Sequence, residues 1–181
     1  MEMWRKICLL LLALNVFFIE NTASKSVRET FQAETLKVIL FLDPECPVTN
    51  AYMKEIKSIH ADYSGKGVIF EAYFPMETIA DKDIKAFLKK YNATFPGFTD
   101  PEMRKAKRYK ATVMPEVVLL DANGITVYQG AIDNWFYALG KSRPKATELY
   151  LRNAIEATLN GNPLMQTKTQ AIGCLINMKL E

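Results

Sequence analysis

Val38-Ile39-Leu40-Phe41-Leu42-Asp43-Pro44-Glu45-Cys46-Pro47-Val48-Thr49 is the stretch that decides the fold. Its apolar start, Val38 to Leu42, opens on β-branched residues and reads as a central strand covered on both faces. The run breaks at a short acidic turn, Asp43-Pro44-Glu45. Pro47, directly behind Cys46, suits the first turn of a helix, where its missing N–H costs nothing. From there Val48, Tyr52, Ile56, Ile59 and Tyr63 recur at three- and four-residue steps, while Lys54, Glu55, Lys57 and Ser58 lie off that stripe. This is an amphipathic helix, ended by Ser64-Gly65-Lys66-Gly67. Cys46 therefore stands where a strand hands over to a helix. Unsatisfied backbone donors and the positive end of the helix dipole face its sulfur, and both favour thiolate, the reactive form.

The pattern continues outward. Val68 to Phe74 alternates and reads as a second strand, and Asp81 or Asp83 can cap a helix carrying Ile84, Phe87, Leu88 and Tyr91. Phe95-Pro96-Gly97-Phe98 breaks the pattern, and Asp100-Pro101 starts a short helix through Tyr109. Met114-Pro115 precedes a third strand, Glu116 to Leu120, and Asp121-Ala122-Asn123-Gly124 turns it into a return strand, Ile125 to Gln129. An aromatic-rich loop follows, holding Trp135, Phe136, Tyr137 and Arg143, then a last helix over Lys145 to Leu159. A helical crossover makes the first two strands parallel, and the hairpin adds an antiparallel pair. The expectation is an α/β domain over 36–160, a mixed four-stranded central sheet flanked by helices, with a tail over 161–181 that carries Cys174.

The chain has 181 residues, a formal charge of +3 and charges of both signs interspersed. No basic block or stacking aromatic signature points to nucleic acid. No nucleotide, flavin or haem motif is present, so no cofactor is expected. The N-terminus carries two cations, Arg5 and Lys6, a mostly apolar run from Ile7 to Ile19, and a small-residue exit at Thr22-Ala23-Ser24. That is the pattern of a cleaved signal peptide over 1–23, followed by a polar arm over 24–35, and it implies a secreted or periplasmic protein. The run is short for a span of ~20 residues, so a membrane enters only if the leader stays on. Cleavage removes Cys8 and leaves two cysteines, Cys46 and Cys174, an even pair in an oxidising compartment.

The element order, the cysteine at the first strand–helix junction and Met114-Pro115 ahead of the third strand together resemble the thioredoxin fold. Phe98-Thr99-Asp100, the run Lys110 to Gly124 and Tyr128-Gln129-Gly130 are similar to the back half of its redoxin branch, the alkyl-hydroperoxide-reductase and TlpA-like proteins. The resemblance covers about residues 35 to 160. It implies that Pro115 is a cis-proline facing the active cysteine. Two departures stand out. The family's Cys-x-x-Cys is here Cys46-Pro47-Val48-Thr49, and the threonine that its peroxidases carry three residues before the cysteine is here Asp43.

Thr49 has no thiol and cannot resolve a mixed disulfide, but its hydroxyl can hydrogen-bond a thiolate. Three uses of the sulfurs stay open. Cys46 can be the attacking thiol and Cys174 its distant resolving partner, if the tail folds back to bring the Cα atoms within about 7 Å. Thiol- or disulfide-bearing proteins are then the partners. The two sulfurs and Met114 can instead hold a soft ion such as Cu(I). Or the pair is a structural staple in a binding or scaffold module. Peroxidase chemistry ranks below these. His60 lies about 20 Å along the helix from Cys46 and is an ordinary helix residue rather than a ligand. Asp43 and Glu45 are turn acids.

Overall fold

The computed structural model describes residues 35–177. The leader, nearly all of the arm and the last four residues of the tail lie outside the described residues. The elements run β1 (Leu36–Phe41), α1 (Pro47–Tyr63), β2 (Val68–Phe74), α2 (Asp81–Lys90), β3 (Gly97–Thr99), α3 (Arg104–Tyr109), β4 (Val113–Met114), β5 (Glu116–Leu120), β6 (Thr126–Gly130), β7 (Phe136–Ala138), β8 (Lys141–Ser142), α4 (Tyr150–Leu159) and β9 (Cys174–Leu175). The central sheet has the order β3-β2-β1-β5-β6. β1, β2 and β3 are parallel, while β5 is antiparallel to both β1 and β6.

The alternation in β1 shows why the run from Val38 to Phe41 is apolar without interruption. Leu36, Val38 and Leu40 enter one cluster with α1, α2 and α4, whereas Ile39 and Phe41 enter a second cluster with Met103 and Ala106 beside α3. From Val38 to Phe41 both faces of the strand are buried. A strand buried on both sides by helical crossovers sits at the centre of its sheet, and its C-terminal end is where Cys46 emerges.

The sheet has five strands, one more than the sequence pattern suggested. The extra strand, β3, is three residues long and follows a proline, so it carries neither alternation nor β-branched signal. Gly97 is required there because a Cβ would lie 2.6 Å from Ile84 and 2.9 Å from Leu88. The last helix begins at Tyr150 rather than Lys145. The intervening residues are held by Asn134, whose Oδ1 accepts the N–H groups of Thr147 and Glu148 at 2.8 and 3.1 Å. Asp83 reaches back to the Ala80 N–H at the start of α2, and Asp100 accepts the Lys105 and Ala106 N–H groups at the start of α3.

The loop after β6 is fastened to α1 by a buried polar contact. Tyr52 Oη donates to Asp133 Oδ1 at 2.6 Å, and the Trp135 N–H donates to the same oxygen at 2.8 Å. Trp135 and Phe136 pack their rings against Tyr52, while Tyr137 stays exposed. Burial pushes the Asp133 carboxyl above the ordinary aspartate range, only partly offset by those two donors. A raised folded value means that the stabilising protonated state is complete below the unfolded value and is lost as pH rises through the folded one. Asp133→Asn keeps the accepting Oδ1 and removes the charge. Its stability relative to the parent is expected to increase with pH between about 3 and 7, followed by urea denaturation across that range. A difference that does not change with pH overturns this assignment.

Candidate functional site

The turn that presents Cys46 is built by its own acids and by one asparagine. Asp43 Oδ1 accepts the Glu45 N–H at 2.8 Å, and the Asp43 carbonyl accepts the Cys46 N–H at 3.2 Å. Asn50 Nδ2 donates to the carbonyls of Pro44 and Cys46, at 2.7 and 2.8 Å, while its Oδ1 accepts from Tyr91 and Lys90. Asn50 thus ties the turn to both α1 and the end of α2, a role that the helical stripe gave no reason to suspect. Asp43 shapes the turn, and Glu45 is exposed.

Cys46 is the residue that caps α1, with Pro47 in the first helical position as expected. It is 1 % exposed. Its sulfur lies 3.2 Å from the carbonyl oxygen of Met114. The Met114–Pro115 bond is cis, the geometry implied for Pro115 by the resemblance. The Met114 side chain points away into the second core cluster, among Ile39, Phe41 and Val118, so its carbonyl rather than its thioether meets Cys46.

The tail returns to this point. Gln129 exchanges backbone hydrogen bonds with the tail, its N–H donating to the Thr167 carbonyl and its carbonyl accepting the Thr169 N–H, each at 3.0 Å. Thr169 Oγ1 hydrogen-bonds Tyr128 Oη at 2.6 Å and accepts the Ala131 N–H at 3.0 Å. From there the tail reaches β4, where Met114 lies opposite Cys174 and Val113 opposite Leu175 in antiparallel register. The Ile176 N–H donates to Thr112 at 2.9 Å, and its side chain is buried in the second cluster. Gly173 makes the approach possible, since any Cβ there would overlap the Met114 carbonyl. Cys46 and Cys174 form a disulfide with Cα atoms 6.0 Å apart across a sequence separation of 128. In this oxidised state neither sulfur is free to act as a thiolate ligand to copper.

Two further residues belong to the site. Glu116, the first residue after the cis-proline, is 6 % exposed. Its Oε2 accepts the Thr112 N–H at 2.9 Å and the Val113 N–H at 3.4 Å, and its Oε1 accepts Gln129 Nε2 at 2.6 Å. It therefore fixes the inner side of β4 and leaves the other edge for β9. Its charge in an otherwise apolar strand was the available signal. Thr49 is fully buried, and among the described residues its Oγ1 is a side-chain oxygen without a hydrogen-bond partner. It is the third residue of α1, after Cys46 at the N-cap. Arg143 is spent within its loop, its guanidinium donating to the Asn134 carbonyl and lying over Tyr137. His60 packs edge-on against Phe70 and Phe95, away from the sulfurs.

No protein-family model matches the sequence, and neither does any curated protein. Solved structures do resemble it. An uncharacterized conserved protein from Geobacillus kaustophilus is 26 % identical with a TM-score of 0.69, over 81 % of this chain and 79 % of its own. A hypothetical protein from Sinorhizobium meliloti 1021 is 26 % identical with a TM-score of 0.68, over 81 % of each chain. A putative thiol:disulfide interchange protein DsbE from Chlorobium tepidum is 23 % identical with a TM-score of 0.56, over 69 % of this chain and 80 % of its own. This last likeness shows a shared thioredoxin fold.

Tail docking and the disulfide are coupled, because β9 contributes two residues of pairing and Ile176 one buried side chain. Reduction is expected to lower stability by about 2–5 kcal/mol. Hydrogen exchange should show the Cys174 and Ile176 amides opening while those of β1 stay protected. Equal protection of the tail in both redox states would contradict this coupling.

Proposed function

We propose that the protein is an exported thiol–disulfide oxidoreductase that exchanges its Cys46–Cys174 disulfide with thiol- or disulfide-bearing protein partners. The observation that carries this reading is the meeting of two sulfurs at a helix N-terminus, beside the cis-proline turn of a thioredoxin fold. Cys174 supplies from the tail the second sulfur that Thr49 cannot. Pro115 holds the turn that sets the Met114 carbonyl against Cys46. Export is supported by the leader pattern over 1–23 and by the use of a disulfide, which persists in oxidising compartments.

Opening the disulfide leaves a thiol or thiolate at Cys46. The Met114 carbonyl favours the protonated form, by about 0.5–1.5 kcal/mol for a neutral hydrogen bond. The helix terminus opposes it with about 0.3–2 kcal/mol. Burial of Cys46 also opposes the charge, whereas a hydrogen bond from the Thr49 hydroxyl to a charged sulfur contributes about 1.5–3 kcal/mol towards the thiolate. Thr49 is a donor held in reserve, unpartnered while the disulfide is closed.

Two measurements test this. The oxidised protein, mixed with a reduced peptide carrying two cysteines, is expected to pass its disulfide to the peptide, and Cys46→Ser or Cys174→Ser abolishes the transfer. A disulfide that resists both the peptide and excess dithiothreitol would mark a structural staple instead. Thr49→Val is expected to slow alkylation of the reduced Cys46 thiol at neutral pH by about tenfold. The difference should vanish at high pH, where the thiol is ionised in both proteins. An unchanged rate at neutral pH would remove Thr49 from the site.

A further inference from the structure

We infer that Cys174, on the tail, is the sulfur that partners attack, and that Cys46 is the leaving and resolving thiolate kept inside. This rests on the exchange activity proposed above and assigns the two sulfurs their order within it. The cysteine at the helix start is 1 % exposed and enclosed by the core, the Met114 carbonyl and the docked tail. Cys174 is half-buried, and the next residue outward, Leu175, is 72 % exposed. A thiolate approaching from solvent reaches the tail sulfur first.

The leaving group points the same way. Exchange is faster when the departing sulfur is the better stabilised thiolate, and which sulfur is attacked also depends on access. Cys46 sits at the N-terminus of α1, and Thr49, whose buried hydroxyl has no partner, is the third residue of that helix. Cys174 lies on a two-residue strand with no helix start of its own. Access and leaving-group stability thus select one direction of cleavage.

The partner's thiolate forms a bond to Cys174 Sγ, and the electron pair of the Cys46–Cys174 bond departs on Cys46 Sγ. The tail strand, no longer tied, lifts from β4 with the partner attached. A second thiolate of the partner then attacks the partner's own sulfur in the mixed disulfide and expels Cys174 as thiolate. Two electrons and two protons have passed from the partner dithiol to the protein, which ends with both cysteines reduced. If the partner lacks a second thiol, Cys46 attacks Cys174 Sγ and restores the starting disulfide.

Glutathione, a single thiol, locates the first attack. The full-length oxidised protein is mixed briefly with glutathione and quenched in acid with an alkylating agent active at low pH. Peptide mass spectrometry then reads which cysteine carries glutathione and which carries the alkyl group. Glutathione on Cys174 and alkyl on Cys46 are expected, in at least about tenfold excess over the reverse. The reverse pattern, or an even mixture at the earliest times, overturns the assignment while leaving the exchange activity intact. A protein that reacts with neither glutathione nor dithiothreitol overturns both.

Discussion

The site depends on one short backbone pairing, the antiparallel contact of Cys174 and Leu175 with Val113 and Met114. Several features near the sulfurs build one side of that pairing. The buried Glu116 carboxylate occupies the N–H groups on the inner side of β4, and Gln129 steadies that carboxylate from β6. Gly173 lets the tail reach the Met114 carbonyl without a side chain between them. With the tail in register, Cys174 falls beside Cys46, and the disulfide follows from placement.

This arrangement solves a problem posed by the sequence. A helix-start cysteine without a second cysteine one turn later can form a mixed disulfide but has no near neighbour to resolve it. Here the missing sulfur comes from the far end of the domain, on a strand held mainly by its ends. One anchor is the Thr169 contact with Tyr128 and Ala131, and the other is Ile176 in the second core cluster. A second sulfur on the tail strand differs from one on the same rigid helix, because opening the bond also removes a structural restraint.

Much of the fold was legible in the residues. The unbroken apolar run Val38 to Leu42, the stripe of α1 and the Asp-Ala-Asn-Gly turn are local signals, each fixed by period or backbone preference. The junction cysteine and Met114-Pro115 were likewise visible. What stayed hidden was set by tertiary contact. β3 is a strand only because β2 offers it an edge, and residues 145–149 are kept out of α4 because Asn134 binds their backbone. Asn50 and Glu116 carry no periodic mark of their roles, since each is defined by what lies opposite it in space.

Thr49 connects the two redox states in energetic terms. A buried hydroxyl without a partner costs about 1–3 kcal/mol, and that cost falls on the oxidised protein, where both sulfurs are bonded to each other. Under the proposed exchange the same hydroxyl gains a charged acceptor in the reduced protein, and opening the disulfide then costs less than it would with an apolar residue there. Thr49 is thus not an empty position: the second sulfur comes from the tail, and the threonine offers a donor to the thiolate that the proposed exchange leaves at Cys46.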